Sequence, residues 1–514
     1  MRTQVLIIGG GATGTGLVRD LALRGVDCIL VDTRDLNAGA SGANHGLLHS
    51  GGRYAKSDPH SAQECKEEGD ILKKLAPHVI EDTGGFFLAV EGDDEKYIAD
   101  FEGLCRNATI DVAKVDPKDA MEMEPAISRK TIACYSVPDA NIDPFRLGLD
   151  NVSQAVSLGS RFMRRTRLAG FDMENGTITA ARMVNMRTGE EFKIVADQYV
   201  NAGGAWAGEV AAMAGAEIGM LYAKGTLLIT HDRLTKRVIN RLRPPGDGDI
   251  LVPGGTVSIL GTTSVRVDSL DNIQPTIAEV DVNVEQGMPM VPELATTRYI
   301  RAYAGVRPLL TGTADSDRNA SRGVALMGHE REGLKNFISI TGGKLTTYRL
   351  MAEMAGDLVC ERLGVSASCL TRTEPLPAAD PWMWSDPGHA ARGWLEKHDQ
   401  GDVLLCECEM VPKSGVDRML GTFDMSKDKP GLKALGRRSR VGKGSCQGTF
   451  CSLRLTSYLY DKDYLHGDEG VRNLREFLEE RWKGQRTILW GMAESQAELQ
   501  EAFYCGLMGI ELGR

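Results

Sequence analysis

Nowhere does the 514-residue chain hold about 18 consecutive apolar residues, the length that a membrane-spanning helix needs, so no transmembrane helix is expected. An export signal is not expected either. The opening Met1-Arg-Thr-Gln-Val-Leu-Ile-Ile-Gly breaks into glycine after a short apolar run, and the default expectation is the cytoplasm. There is no surplus of positive charge: 60 Lys+Arg stand against 70 Asp+Glu, a net charge of −10, which argues against a sequence-independent grip on nucleic acid. Internal repeats, low-complexity tracts and a collagen-like glycine period are also absent. At 42% hydrophobic and 25% charged, the composition is that of a globular protein, which excludes disorder as the main state. At about 150 residues per domain, the length suggests roughly three units.

Glycine is what the chain has in excess: 59 residues, where an average chain has about 7%. Many tight turns or close backbone approaches are implied. Eleven cysteines in a reducing compartment read as buried, metal-binding or catalytic rather than as disulfides. Seven are scattered (Cys28, Cys65, Cys105, Cys134, Cys360, Cys369, Cys505), and four gather near the end of the chain.

The first thirty-two residues form one βαβ unit. Val5 to Ile8 is a buried-strand run, Gly9-Gly-Gly-Ala-Thr-Gly14 a glycine turn, and Leu17, Val18, Leu21 and Ala22 recur at helical spacing. Gly25 ends that helix, and Cys28-Ile-Leu-Val-Asp32 is the second strand. Gly9-x-Gly11-x-x-Gly14 is weak alone. After a strand, opening a helix, and with Asp32 ending the next strand, it is a dinucleotide fingerprint. Gly9 permits the turn, Gly11 lets backbone approach a pyrophosphate, and Gly14 lets helix and sheet pack. The helix N-terminus offers its N–H groups to the phosphates, and Asp32 offers a carboxylate to ribose hydroxyls. The motif does not separate NAD from FAD. A second strand–Gly342-Gly343–helix turn, in Ile338-Ser-Ile-Thr-Gly-Gly-Lys-Leu-Thr-Thr-Tyr, would give a longer cofactor such as FAD a second approach point.

Elsewhere the patterns predict a helix over 61–78 opened by a Ser61-Ala-Gln-Glu64 capping box, a strand-rich stretch over 221–308, and a long helix over 345–363. A proline-bearing linker follows over 370–400 (Pro375, Pro377, Pro381, Pro387), and a further helix is expected at 468–482. The glycine-rich segment Gly39 to Tyr54 carries His45, His49 and Arg53; it reads as a site loop or as a surface loop with satisfied histidines. Arg53, Arg307 and Lys344 sit in glycine-rich surroundings. Such cations commonly pair with surface carboxylates; converging on one pocket, they would suit a phosphorylated or carboxylated substrate.

Cys406-x-Cys408 and Cys446-x4-Cys451 place four thiols in two close pairs, the pattern of a metal site. Zinc and a [2Fe–2S] cluster both accept four cysteines. The tight Cys-x-Cys spacing favours the cluster, as does attachment to a unit expected to bind FAD. The basic run Lys427, Lys429, Lys433, Arg437, Arg438, Arg440, Lys443 between the pairs reads as a solvated face, or as a docking surface for an acidic partner.

Taken in order, Gly9-x-Gly-x-x-Gly14, His49-Ser-Gly-Gly-Arg-Tyr54, Asn201-Ala-Gly-Gly-Ala-Trp206, Gly305-Val-Arg-Pro308 and Gly342-Gly-Lys-Leu-Thr-Thr-Tyr-Arg349 resemble FAD-dependent glycerol-3-phosphate dehydrogenases over nearly the whole chain. The four-cysteine end is similar to a bacterioferritin-associated-ferredoxin-type [2Fe–2S] domain, the mark of the A subunits of the anaerobic branch. The resemblance implies a fold of α/β plus α+β character: a Rossmann-type FAD-binding domain with an antiparallel-sheet substrate domain, D-amino-acid-oxidase-like, plus a small C-terminal helical four-cysteine domain. It places a discontinuous FAD-binding domain at 1–80, 140–215 and 300–368, and the substrate domain at 81–139 and 216–299. A linker at 369–400, the [2Fe–2S] domain at 401–460 and a helical segment at 461–514 complete the chain.

The family pattern implies FAD-binding positions at Gly9, Gly11, Ala12, Thr13, Gly14, Asp32, Thr33, Ala40, Ser41, Leu168, Gly203, Gly342, Gly343, Leu345 and Thr346, and metal ligands at Cys406, Cys408, Cys446 and Cys451. It implies oxidation of sn-glycerol 3-phosphate to dihydroxyacetone phosphate, with electrons leaving through the cluster to partner subunits and a quinone. The chain would then be cytoplasmic or held peripherally at the inner membrane by those partners. Arg53 and Arg307 match substrate-holding positions, and Lys344 one near flavin and substrate. After Lys224-Gly-Thr226 this chain has Leu227 where aerobic relatives carry a histidine. His49 is therefore the expected base, since an ordinary imidazole titrates near neutral pH; packing against the flavin ring is its competing role. An amine or amino-acid oxidoreductase of the same fold, and a non-catalytic flavin/iron–sulfur electron-transfer subunit, are the rival expectations.

Overall fold

The computed structural model describes residues 1–311, 323–379, 394–397, 399–423 and 429–511. Pro381, Pro387 and Lys427 lie outside the described residues. Strand β1 (Arg2–Ile8) runs into the glycine turn, helix α1 (Ala12–Leu23) follows with Leu17, Val18 and Leu21 fully buried, and strand β2 (Cys28–Val31) pairs in parallel with β1. Gly25, at φ +77°, closes α1 in a conformation that costs glycine nothing.

These strands centre an eight-stranded mixed sheet. On one side of β1 lie Glu191–Asn201, parallel to it, and then Phe337–Gly342, parallel again; on the other lie β2 and Arg161–Met163. The outer half of Glu191–Asn201 leaves this parallel core and pairs antiparallel with Thr177–Asn185. All-apolar runs such as Val5-Leu-Ile-Ile follow from burial on both faces. Helices Pro144–Ser157 and Tyr348–Leu363 cover the side on which α1 packs, burying Leu149, Val152, Met351 and Ala355 with it.

The second sheet has nine strands, eight of them in the order Val265–Val267, Met220–Thr230, Val257–Gly261, Ile250–Gly254, Val238–Arg241, Gly85–Val90, Thr131–Val137, Ala113–Val115. It differs from the expected antiparallel sheet at one pairing: Val238–Arg241 and Gly85–Val90 run parallel. These two strands come from separate chain segments, so no hairpin dictates their direction. Strand Tyr299–Leu310, expected with the FAD-binding segments from residue 300, pairs along its length with Met220–Thr230 and extends this second sheet. Its alternating pattern suits either sheet, and only the pairing partner decides. The helix expected at 61–78 runs Pro59–Leu75: Asp58 caps it by accepting from the Ser61 N–H, and Pro59 supplies the first turn, so the Ser61–Glu64 box is not its start.

The C-terminal helices Leu432–Arg438, Cys451–Asp461 and Glu469–Trp482 share one apolar core through Leu435, Leu455, Leu459, Leu474 and Phe477. The expected break at 460 therefore falls inside a packed unit. That unit is pinned to the dinucleotide-binding body by Asp35, whose carboxylate takes two hydrogen bonds from Arg438, at 2.8 and 2.9 Å, with Arg164 at 3.5 Å. All three side chains are buried. The two guanidinium groups hold the Asp35 carboxyl below its usual range. A depressed carboxylate pKa gives stability that is complete above the unfolded value near 4 and fades as pH falls through the folded value. Asp35→Asn should loosen this contact by about 3 kcal/mol, because two buried cations lose their counter-charge. Faster hydrogen exchange of Leu432–Arg438 at neutral pH, with unchanged exchange in β1, is the expected signature.

Candidate active site

The carboxyl ends of β1, β2 and Glu191–Asn201 meet at the glycine turn, the usual place for a ligand in an open parallel sheet. Space there is set by backbone. A Cβ on Gly9 (φ +117°) would lie 2.4 Å from the Ala202 carbonyl oxygen, and one on Gly14 1.9 Å from the Gly9 oxygen. Asp32 accepts from the Gly10 N–H at 2.8 Å and the Arg34 N–H at 2.7 Å, which fixes its carboxylate against the turn. Burial pushes the Asp32 pKa up, and those two N–H groups oppose the shift. At the N-terminus of α1 the Ala12 N–H donates to the Ser41 hydroxyl at 2.9 Å, so the segment 39–44 folds over that end of the helix.

A cavity of about 780 Å³ runs from this turn to the second sheet. Every predicted cofactor residue lines it except Gly14, which lies beneath, where α1 meets the turn. The four predicted catalytic residues line it as well. His49 has its backbone N–H on Thr346 Oγ1 at 3.2 Å and its ring 5.6 Å from that of Tyr54. Lys344 follows the left-handed pair Gly342 (φ +82°) and Gly343 (φ +66°), and its ammonium lies 5.0 Å from the Tyr54 ring centroid. Arg307 projects from Tyr299–Leu310 and is held by the Thr263 carbonyl at 3.2 Å, Ser264 Oγ at 3.4 Å and Thr262 Oγ1. Gly225, on the neighbouring strand, makes room: a Cβ there would be 2.8 Å from Arg307 Nη2.

Arg53 is tied to Asp249, Nη2 to Oδ2 at 3.1 Å, and Asp249 also binds Arg243 at 2.6 Å. Sequence reasoning missed Asp249. In Pro244-Pro-Gly-Asp-Gly-Asp249 nothing distinguishes it from a solvated turn residue. His45, to which the sequence pattern gives no role, lines the cavity beside Leu227: the position of a Gly261 Cβ lies 3.3 Å from Leu227 Cγ and 3.5 Å from His45 Nε2.

The four clustered cysteines converge in the C-terminal unit. The Cys406 and Cys408 sulfurs are 3.8 Å apart and those of Cys408 and Cys446 3.6 Å, with Cys406 and Cys451 buried and the other two half-buried. Among the described residues no group of three or more His, Cys, Asp or Glu side chains is arranged to hold a metal ion. No helix among them is long and apolar enough to cross a membrane.

Comparison with known proteins places this arrangement. The FAD dependent oxidoreductase (DAO) family matches residues 4–349. The A subunit of the anaerobic glycerol-3-phosphate dehydrogenase from Haemophilus influenzae is 41% identical over 99% of this chain and 94% of its own length; its namesake from Escherichia coli K12 is 41% identical over 99% and 97%. The glycerol-3-phosphate dehydrogenase of Bacillus halodurans, solved with FAD, superposes with a TM-score of 0.66 over 94% of this chain and 95% of that one. The L-proline dehydrogenase of P. horikoshii superposes with 0.60 over 73% and 97%. At 20% and 19% identity these two structures speak for the fold alone. The chain belongs to the FAD-dependent oxidoreductases and, within them, to the family of anaerobic glycerol-3-phosphate dehydrogenase A subunits.

Proposed function

We propose that this chain oxidises sn-glycerol 3-phosphate to dihydroxyacetone phosphate at a bound FAD. One observation carries the reading: Arg53, Arg307 and Lys344 face the same cavity as the dinucleotide cradle. The residues fit FAD. The cradle admits no Cβ at Gly9 or Gly14, Asp32 offers its carboxylate, and the cavity extends to the second glycine pair at Gly342-Gly343. FAD, when bound, supplies the hydride acceptor for the substrate C2 hydrogen.

The chain's own residues supply the rest. Arg307, propped by Thr262, Thr263 and Ser264, grips phosphate or steadies the alkoxide that develops at C2. Arg53 is oriented by Asp249 and works beside it. Lys344 adds a compact charge near the same oxygen. The C2 hydroxyl proton passes to the imidazole of His49. Apolar Leu227 cannot take a proton where aerobic relatives carry a histidine, and His45 stands next to it as the other imidazole within the cavity. His49→Asn should lower kcat by about 10²–10³-fold. If His45→Asn does so and His49→Asn does not, the base is His45.

Cys406, Cys408, Cys446 and Cys451 would hold the [2Fe–2S] cluster, whose four-thiolate donor set they match and which supplies one-electron transfer when bound. Zinc in the same thiolates would be structural only. Partner subunits would carry electrons onward to a quinone and hold the chain at the cytoplasmic face of the membrane. In Cys408→Ser, substrate should still bleach the flavin within a single turnover while steady-state transfer to an external acceptor falls by about tenfold or more. Iron and zinc analysis of the purified chain decides the occupant.

A further inference from the structure

The C-terminal unit, the segment 37–46 and strand Tyr299–Leu310 enclose a second cavity, of about 400 Å³. Gly39, Ala40, Asn44 and His45 wall both cavities, one on each side of the segment. The charged groups do not overlap in the same way. Arg53, Arg307 and Lys344 line only the first, whereas Arg437, Arg440, Lys443 and Arg481 line only the second.

Among the described residues, eight arginine and lysine side chains line the second cavity against two carboxylates, Asp143 and Glu480. A chain of net charge −10 has no compositional reason for such a concentration. Both carboxylates are already engaged. Asp143 caps helix Pro144–Ser157 by accepting from the Phe145 and Arg146 N–H groups. Glu480 pairs with Lys433 at 3.2 Å and Arg301 at 3.7 Å.

Arg440 pairs with Glu409, at 2.7 Å. Three other cations give their hydrogen bonds and ring contacts to neutral partners, with Asp143 near Lys443 and Glu480 near Arg437 and Arg481. Lys443 Nζ lies 3.8 Å from the Phe145 ring centroid. Arg481 donates to the Gln447 amide oxygen at 2.6 Å, and its Nε is buried without a hydrogen-bond partner. Arg437 reaches the Leu36 carbonyl, at 3.4 Å. Burial, against the pull of Asp143, presses the Lys443 ammonium down to about 7, and burial beside Arg301 lowers Arg481. Like charges crowded in a poorly solvated space repel strongly, and an anion among them relieves the repulsion.

We propose that this cavity is a second anion site, which takes a small phosphate-bearing molecule between Arg437, Lys443 and Arg481. Arginine forks match phosphate oxygens in pairs, and a dianion offsets clustered charge better than a single carboxylate. The volume suits a small molecule, and Phe145, Trp206 and Tyr303 offer its carbon frame an apolar wall. Because the walls come from both the dinucleotide-binding body and the C-terminal unit, the ligand would fasten one to the other.

Calorimetry on the full-length, cofactor-loaded protein tests this, with inorganic pyrophosphate as the probe and Arg307→Ala, which alters only the first cavity, to separate the two sites. One saturable site is expected. Arg437→Gln with Lys443→Gln should weaken it by about tenfold or more, the loss of one or two charge-assisted contacts. Arg307→Ala should leave it unchanged. Hydrogen exchange of Leu432–Arg438 keeps the test valid if the double variant perturbs docking: pyrophosphate should slow exchange there in the wild type. Three results would overturn the proposal: no saturable binding, equal affinity in the double variant, or binding lost with Arg307→Ala. Binding of an acidic peptide but not of pyrophosphate would overturn it too, and would make the surface a protein contact.

Discussion

Gly14→Ala is expected to abolish retention of flavin while leaving a folded chain. The added methyl would sit 1.9 Å from the Gly9 carbonyl oxygen, and that atom belongs to backbone that cannot yield without moving the turn. The turn places the Gly10 N–H on Asp32 and opens the N-terminus of α1, so a displaced Gly9 disturbs the ribose and phosphate ends together. Purified protein should carry little or no flavin, a loss of affinity on the order of 10³-fold or more, with unchanged far-ultraviolet circular dichroism. Gly25 provides the contrast. Its φ of +77° is as unusual, but nothing lies within 4 Å of a Cβ there. Gly25→Ala should cost only about 1–2 kcal/mol of strain and keep its flavin.

Arg307→Ala should lower kcat/KM for sn-glycerol 3-phosphate by about 10²–10³-fold, the usual consequence of removing one charged donor from an oxyanion or phosphate. Whether the loss falls on KM or on kcat separates the two roles. A phosphate anchor raises KM; a group that stabilises the developing alkoxide lowers kcat. Arg307→Lys should recover only part of the loss, since an ammonium cannot make the paired contacts of a guanidinium. Gly225→Ala should weaken activity in the same direction, because its methyl would press on Arg307 Nη2 from 2.8 Å.

The parts of this protein that could be read from its sequence are those where local chemistry decides. A glycine with a positive φ at Gly9, a strand of four apolar residues in β1 and an acidic residue directly after β2 signal a dinucleotide fold because few other residues do that work. The helices Tyr348–Leu363 and Glu469–Trp482 announce themselves by period. What stayed illegible depends on partners distant in sequence. Tyr299–Leu310 reads as a strand, yet only its pairing with Met220–Thr230 says which sheet owns it. Helix Pro59–Leu75 starts at Asp58 because proline tolerates the first turn, a choice that a competing box at Ser61 obscured. Asp249 and Asp35 act through arginines far along the chain, Arg53 and Arg438, and an isolated aspartate carries no mark of such a pairing. The basic run between the cysteine pairs is the most instructive case. Its face is not simply solvated: Arg438 is buried on Asp35, and Arg437, Arg440 and Lys443, half-buried, line the second cavity.

The most direct measurement is an anaerobic absorption titration of the purified chain alone with sn-glycerol 3-phosphate. Loss of the oxidised-flavin band on adding substrate, with dihydroxyacetone phosphate formed in proportion and no response to amino acids, is the predicted result. A flavin that stays oxidised until an amino acid or a partner subunit is added would contradict the account, because the cation-lined cavity would then not be where this chain oxidises a phosphorylated polyol.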